Sequence, residues 1–239
     1  FGVIEAGINQ PGEMRLLGGM IRADLSILTN IGPAHLELLG SLEGIAGEKS
    51  MLARESRPDA PVILPAEALE YPAYAGMSRR CIAVHFDRTS LPEDVREVVP
   101  CRIESEANGS KMGLRIEGRT YSVQSSSRGI ACNAALAIVA ARRLGVPEEA
   151  LVERMRQWKP ERTRGKVVDA GSRFYYIDCY NANPASMVDA LQAFQSSAPS
   201  GLPRCYIIGA MNELGEMAEP FHVSVGERLE LRPEDKVVF

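Results

Sequence analysis

Four short stretches combine carboxylates, an imidazole, an amine and amides at spacings that suit phosphate or metal chemistry. Glu5-Ala-Gly-Ile-Asn-Gln-Pro-Gly-Glu13 leaves an apolar run and enters a helical pattern. In open α/β sheets ligands collect at the carboxyl ends of strands, so Glu5 is a candidate Mg²⁺ ligand or general base. An ordinary strand-end carboxylate would look the same. Thr29-Asn-Ile-Gly-Pro-Ala-His35-Leu-Glu37 follows a second apolar run. A histidine beside a carboxylate there can position a metal or a substrate oxygen, or be a hydrogen-bonded structural residue. Gly40-Ser-Leu-Glu-Gly-Ile-Ala-Gly-Glu-Lys49 puts an amine on a helix with apolar neighbours, fourteen residues after His35. A lone lysine on a helix is ordinarily a solvated face residue. Ile177-Asp-Cys-Tyr-Asn-Ala-Asn-Pro-Ala-Ser-Met187 offers a carboxylate (Asp178), a ring (Tyr180) and two amides (Asn181 and Asn183). These groups suit the sugar and base of a nucleoside. An Asx-rich turn capping a helix uses the same letters.

The elements that must carry these groups alternate between short apolar runs and helical patterns, the signature of βαβ units and a mostly parallel sheet. Strands are expected at Phe1–Glu5, Leu25–Asn30, Val62–Leu64 and Cys81–Phe86, and helices at Pro11–Met20, Ser41–Glu55 and near Ala66–Gly76. Ser41 is the expected N-cap of its helix, with Leu42, Ile45, Ala46 and Leu52 on one face. Between Val98 and Gln124 three short segments, split by Asn108-Gly109 and Glu117-Gly118, predict a small antiparallel sheet appended to the parallel one. Helices follow at Arg128–Leu144, ended by Gly145, and at Pro147–Trp158. Lys166–Ala170 and Phe174–Asp178 suit a hairpin, and Pro184–Phe194 a helix. Residues 196–203, Ser-Ser-Ala-Pro-Ser-Gly-Leu-Pro, form a linker by composition. A new strand–helix–strand unit then runs over Arg204–Gly209, Ala218–Leu229 and Lys236–Phe239, which places a domain boundary near residue 200. Phe1-Gly-Val-Ile-Glu-Ala and Lys236-Val-Val-Phe239 both look like core strands, so the chain is expected to be a piece of a longer one.

Bulk properties narrow the class. The 239 residues carry 27 basic and 31 acidic side chains, a net charge of −4, without the basic stripe of a nucleic-acid binder. No apolar run approaches the ~20 residues of a membrane span, and no signal peptide is visible. Cys81, Cys101, Cys132, Cys179 and Cys205 are scattered, without a CxxC pair, and fit reduced thiols in a cytoplasmic protein. Cys179 is expected to be a small semi-buried thiol.

In order and text the four stretches resemble the Mur ligase family, and Ile208-Gly-Ala-Met-Asn-Glu-Leu-Gly215 and His222 extend the likeness to nearly the whole chain. It is weakest across residues 60–125. Tyr180-Asn-Ala-Asn-Pro and Glu213-Leu-Gly215 are most similar to the member that adds D-alanyl-D-alanine to UDP-N-acetylmuramoyl tripeptide. The resemblance implies a central ATP-binding α/β domain over residues 1–199 and the start of a Rossmann-like C-terminal domain over 200–239. It implies that ATP converts a carboxylate into an acyl phosphate, which an amine attacks to form an amide, with Mg²⁺ and fixed cations offsetting the phosphoryl charge. By the same resemblance Glu5 and His35 would hold Mg²⁺, and Lys49 matches a carbamylated lysine whose added CO₂ makes it an anion. Asp178, Tyr180 and Asn181 would contact the nucleotide, as would Asn133. Arg164 would approach the phosphates, with Arg162 close enough to leave the register open. A cytoplasmic monomer is implied.

The chain also departs from the family pattern. A His-Asn pair expected before Asn133 is Gly129 and Ile130 here, and an aspartate in the Gly209-Ala-Met211 stretch is Ala210. No GxxxxGK[ST] phosphate loop occurs in the chain; the resemblance places that loop upstream of Glu5. A sister ligase with another amine substrate, a folylpolyglutamate synthase-like ligase and a non-catalytic relative stay open as alternatives.

Overall fold

A computed structural model describes residues 1–86, 91–106 and 109–239. Its main sheet has six strands in sequence order: β1 (Ser26–Ile27), β2 (Val62–Pro65), β3 (Cys81–His85), β4 (Glu97–Ser105), β5 (Met112–Ile116) and β6 (Arg119–Val123). The first four pair in parallel, and β4, β5 and β6 pair antiparallel. Strand β4 belongs to both ladders, so the expected antiparallel segment is a continuation of the parallel sheet. The Asn108-Gly109 turn signal involves Asn108, which lies outside the described residues; Gly109 has a φ of +65°.

Alternation along the central strands buries both faces. Ile63, Ile82 and Val84 point into one apolar cluster with Ala131, Ala135, Leu136 and Val139 of α5 (Arg128–Arg143). Val62, Leu64 and Ala83, one position out of phase, point the other way onto Ala46 and Ala53 of α3 (Leu42–Glu55). Strands covered on both sides read as continuous apolar runs, which is how β2 and β3 look in sequence. Ser41 caps α3 as expected, its Oγ accepting from Gly44 N at 3.1 Å. Helix α1 (Glu13–Ile21) packs along α3, while α2 (Leu36–Leu39) is a single turn between β1 and α3. The helix expected near Ala66–Gly76 is split into a 3₁₀ segment, Ala66–Glu70, and α4 (Pro72–Ala75). Pro72 disfavours helical geometry at Tyr71, whose ψ is 128°.

Phe1–Glu5 is not a strand. It joins no ladder, and Phe1 and Val3 are fully exposed. An apolar run becomes a strand only when a neighbour accepts its backbone hydrogen bonds, and β1 ends the described sheet.

After α5 come α6 (Glu148–Gln157) and the antiparallel pair β7 (Lys166–Asp169) and β8 (Phe174–Ile177). Then follow α7 (Pro184–Ser197), β9 (Cys205–Ile207), α8 (Ala218–Gly226) and β10 (Lys236–Val238), which pairs in parallel with β9. Leu191 of α7 shares one apolar cluster with Tyr206, Met211, Leu214 and Val225. The buried Arg204 locks β9 to the β10 end: its backbone N and its Nε each donate to the Asp235 carboxylate at 2.9 Å.

Candidate functional site

The site begins where β1 ends. A cavity of about 490 Å³ opens at that carboxyl end, lined by Thr29, Ala34, His35, Lys49 and the Ala6–Asn9 segment among others. Lys49 reaches it through helical spacing: it stands four residues after Ile45 and four before Ala53, both buried, so its stem follows the apolar face of α3. Its Nζ donates to the Asn30 carbonyl at 2.9 Å and lies 3.4 Å from Asn30 Oδ1. Burial disfavours the ammonium and pushes the Lys49 pKa down from 10.5. The solvated-face reading of this lysine therefore does not hold.

His35 sits at the other lip of the cavity with a left-handed backbone, φ +58°, at the start of α2. Its Nδ1 is hydrogen-bonded to Glu213 Oε2, and Glu37 N donates to the Glu213 carbonyl at 3.1 Å. Glu213, also left-handed at φ +62°, thus brings the loop after β9 onto the loop after β1. His222 holds that later loop in place, accepting from Met211 N at 3.1 Å through Nε2 and facing the Ala218 carbonyl at 2.7 Å through Nδ1. Glu5 is exposed and does not line the cavity, although Ala6 and Gly7 do. Glu13 folds back onto the backbone N–H groups of Asn9 and Gln10, which depress its pKa, and so closes the turn into α1.

The Asp178–Asn183 stretch follows β8 and ends in a capping box. Asn183 Oδ1 accepts from Ser186 N at 2.9 Å and Ser186 Oγ accepts from Asn183 N at 3.1 Å, which starts α7. The same stretch lines a larger groove of about 830 Å³ with Asp178, Cys179, Tyr180 and Ala210. Asn181 lines both cavities, so it connects the Lys49–His35 pocket to the Asp178–Tyr180 groove. The Arg162–Gly165 turn is tied to this stretch: Thr163 O accepts from Cys179 N at 3.0 Å and Tyr180 N at 3.2 Å. Arg164 stacks its guanidinium 3.8 Å from the centre of the Tyr180 ring. Packed protein raises the Asp178 carboxyl to about 6 although one side of it meets solvent; the Asp189 charge adds to the rise and Arg164 opposes it.

Asn133 lies on the exposed side of α5 and lines neither cavity, and Arg162 is exposed. Cys179 is exposed, not semi-buried as expected, because its strand ends at Ile177. Among the described residues no cluster of three His, Cys, Asp or Glu side chains could hold a metal. Sequence reasoning quoted Asn30 and Glu213 inside motifs without giving them roles, and it missed Asp189, which carries no local signal.

A family model described as the Mur ligase middle domain matches residues 1–141, and one described as the Mur ligase glutamate ligase domain matches residues 163–239. The UDP-N-acetylmuramoyl-tripeptide–D-alanyl-D-alanine ligase of Treponema pallidum is 31% identical over 224 residues, covering 94% of this chain and 46% of the relative. The enzyme of that name in Bacillus subtilis is 27% identical over 226 residues, with 94% and 47% covered. MurF ligase from Thermotoga maritima in complex with ADP has a TM-score of 0.77 at 22% identity, covering 96% of this chain and 52% of that one. MurF from Acinetobacter baumannii has a TM-score of 0.75 at 23% identity, with 97% and 49% covered. The chain thus spans about half the length of the curated relatives it matches. Among the described residues no helix is long and apolar enough to cross a membrane. Two family models that together take in most of the sequence, over an α/β fold that brings its motifs to one pair of connected cavities, establish that this chain belongs to the Mur ligase family.

Proposed function

We propose that the protein takes part in ATP-dependent ligation of D-alanyl-D-alanine to UDP-N-acetylmuramoyl tripeptide, in peptidoglycan precursor synthesis. The observation that carries this reading is the position of Asn181, which joins the pocket of Lys49 and His35 to the groove of Asp178 and Tyr180. A ligase of this type needs a phosphoryl-transfer centre next to a nucleotide-holding loop, and two adjoining cavities at strand ends support that reading. Relatives that carry this activity in their names cover most of the chain.

The metal side depends on the state of Lys49. Mg²⁺ takes hard oxygen ligands, and an ammonium at the pocket repels it. The neutral amine, which burial favours, is the form that attacks CO₂; the resulting carbamate is an anion with two oxygens. In that state Lys49 and His35, which line one cavity, would hold Mg²⁺, with Glu5 as a third candidate that must swing in from its exposed position. Mg²⁺, when bound, would neutralise charge on the transferring phosphoryl group. On the nucleotide side Asp178 would accept from ribose hydroxyls, with Tyr180 and Asn181 beside it and Arg164 supplying positive charge toward the phosphates. Asn133, on the exposed side of α5, is proposed as a further nucleotide contact.

We also place the junction between the central and C-terminal regions near residue 163, not at 200. The shared cluster of α7 with β9 supports this, as does the start of the C-terminal family match. The activity is tested by phosphate release from ATP by the intact natural protein, with UDP-linked tripeptide, in the presence and absence of D-alanyl-D-alanine. Release that requires the dipeptide supports the reading, and release that responds only to another amine overturns the substrate assignment.

A further inference from the structure

Asp189 reaches from α7 across to the start of α5. Its carboxylate accepts from Ser127 Oγ at 2.5 Å, Arg128 N at 2.9 Å and Gly129 N at 3.2 Å. Ser127 is itself the N-cap of α5, its Oγ accepting from Ile130 N at 3.0 Å. An anion held by the first N–H groups of a sixteen-residue helix also meets the positive end of the helix dipole. The cap is borrowed: it comes from the part of the chain that matches the C-terminal family model, and it seats on the part that matches the middle one.

Position 129 is shaped to this contact. A Cβ added at Gly129 would stand 3.1 Å from Asp189 Oδ2, tighter than ordinary van der Waals contact, and 3.6 Å from Asp189 Cγ, so the carboxylate would have to give by a few tenths of an ångström. The glycine found here in place of the expected histidine leaves the Asp189 carboxylate the room it occupies. Around the same point lie two buried side-chain polar atoms that, among the described residues, have no protein partner: Ser126 Oγ, next to the cap in sequence, and Tyr176 OH. A Cβ at Gly165 would lie 3.0 Å from Tyr176 OH and 3.0 Å from Ile130 Cδ1, so the phenol faces the first turn of α5. Buried polar atoms without partners mark places where a ligand or water completes the bonding.

We propose that Asp189 is a positioning residue for nucleotide binding, fixing α7 and the Asp178–Asn181 loop against the N-terminus of α5, and that Gly129 lacks a side chain to admit it. The inference rests on the nucleotide reading of that loop. Asp189 acts through distance: its bonds to Ser127, Arg128 and Gly129 set where the loop stands.

The test compares Asp189→Ala, Asp189→Asn, Gly129→Ala and the double variant Gly129→Ala/Asp189→Ala in the intact natural protein. Asp189→Ala is expected to raise the KM for ATP about tenfold, or ~1.4 kcal/mol, with kcat and the KM for the dipeptide within about threefold. Asp189→Asn is expected to recover part of this, because an amide oxygen still accepts from the helix N–H groups. Gly129→Ala is expected to be harmful alone and nearly silent in the Asp189→Ala background, where the close contact is gone. Hydrogen exchange of the Arg128 and Gly129 amides, read in the same intact protein, is expected to speed up in Asp189→Ala. Faster exchange with an unchanged KM for ATP would overturn the positioning role and leave only a helix cap. An equal loss toward every substrate, without rescue by asparagine, would overturn it too. Absence of any ATP-dependent reaction in the unsubstituted protein would instead overturn the functional reading on which it rests.

Discussion

His35 and Glu213 stand 178 residues apart in sequence and share a hydrogen bond between Nδ1 and Oε2 at the mouth of the first cavity. A carboxylate on one imidazole nitrogen fixes the tautomer and leaves the other nitrogen to act as a ligand. With Nδ1 committed to Glu213, Nε2 would be the nitrogen left for Mg²⁺ under the proposed function. Glu213→Gln keeps the shape and removes the charge, so it is expected to weaken divalent-ion binding by about tenfold or more without unfolding the protein. Mn²⁺ titration followed by electron paramagnetic resonance, alongside a thermal melt, checks this. Equal Mn²⁺ affinity in both proteins would disconnect Glu213 from the metal.

Lys49 is expected to carry CO₂. The lowered pKa enlarges the neutral amine fraction, and that fraction grows as pH rises toward 10.5. A ¹³C carbamate resonance should appear in ¹³C-bicarbonate, strengthen from about pH 7 to about pH 8.5, and be missing from Lys49→Arg. Lys49→Ala is expected to reduce ligation by about 10²–10³, a loss comparable to removing one transition-state charge stabiliser. Short carboxylic acids should restore part of it. Full turnover in Lys49→Ala would end the carbamate assignment.

Asp178 gives a pH dependence with a definite sign. Its folded pKa, about 6, lies above the ordinary 3.8, so between those values the folded state binds more protons than the unfolded one. Stability from this group is full below pH 3.8 and is lost as pH rises through about 6. Asp178→Asn is therefore expected to raise Tm at pH 7 and flatten the slope between pH 4 and 6. Ribose hydroxyls need an acceptor, so the KM for ATP should fall as pH rises through about 6 in the unsubstituted protein and lose that limb in the asparagine variant. A KM change confined to the dipeptide would move Asp178 out of the nucleotide site.

Gly165 has a φ of +63°, and a Cβ there would meet Ile130 Cδ1 and Tyr176 OH at 3.0 Å each. Gly165→Ala is expected to cost about 1–3 kcal/mol, from the left-handed backbone and the contact together. Because the Arg162–Gly165 turn carries Arg164 over Tyr180, the KM for ATP should rise as well. Chemical denaturation and steady-state kinetics check both.

Much of this was legible locally. The Ser41 cap, the two-faced apolar runs of β2 and β3 and the Asn183 capping box are features of neighbouring residues, and each stands where the sequence puts it. Phe1–Glu5 has a strand's pattern without being one, because a strand is a relation between two segments and the pattern of one cannot supply the other. Residues 196–203 have a linker's composition, yet the helix before them and the strand after them share a core. The site shows the same division. His35, Asp178 and Asn181 stood out by type and spacing, while Lys49 took its role from the resemblance to the Mur ligase family. Their partners did not: Asn30 meets Lys49 across 19 residues, Glu213 meets His35 across 178, and Asp189 meets Gly129 across 60. Only the fold sets those pairs.

The most direct test of the ligase reading follows oxygen. The tripeptide's terminal carboxylate is labelled with ¹⁸O and supplied as the UDP-linked substrate with ATP, Mg²⁺ and D-alanyl-D-alanine to the intact natural protein. If the carboxylate attacks the γ-phosphorus and the dipeptide amine then displaces phosphate, each inorganic phosphate released carries one ¹⁸O and the new amide keeps the other. Phosphate with no label, or labelled AMP in its place, would contradict an acyl-phosphate ligase.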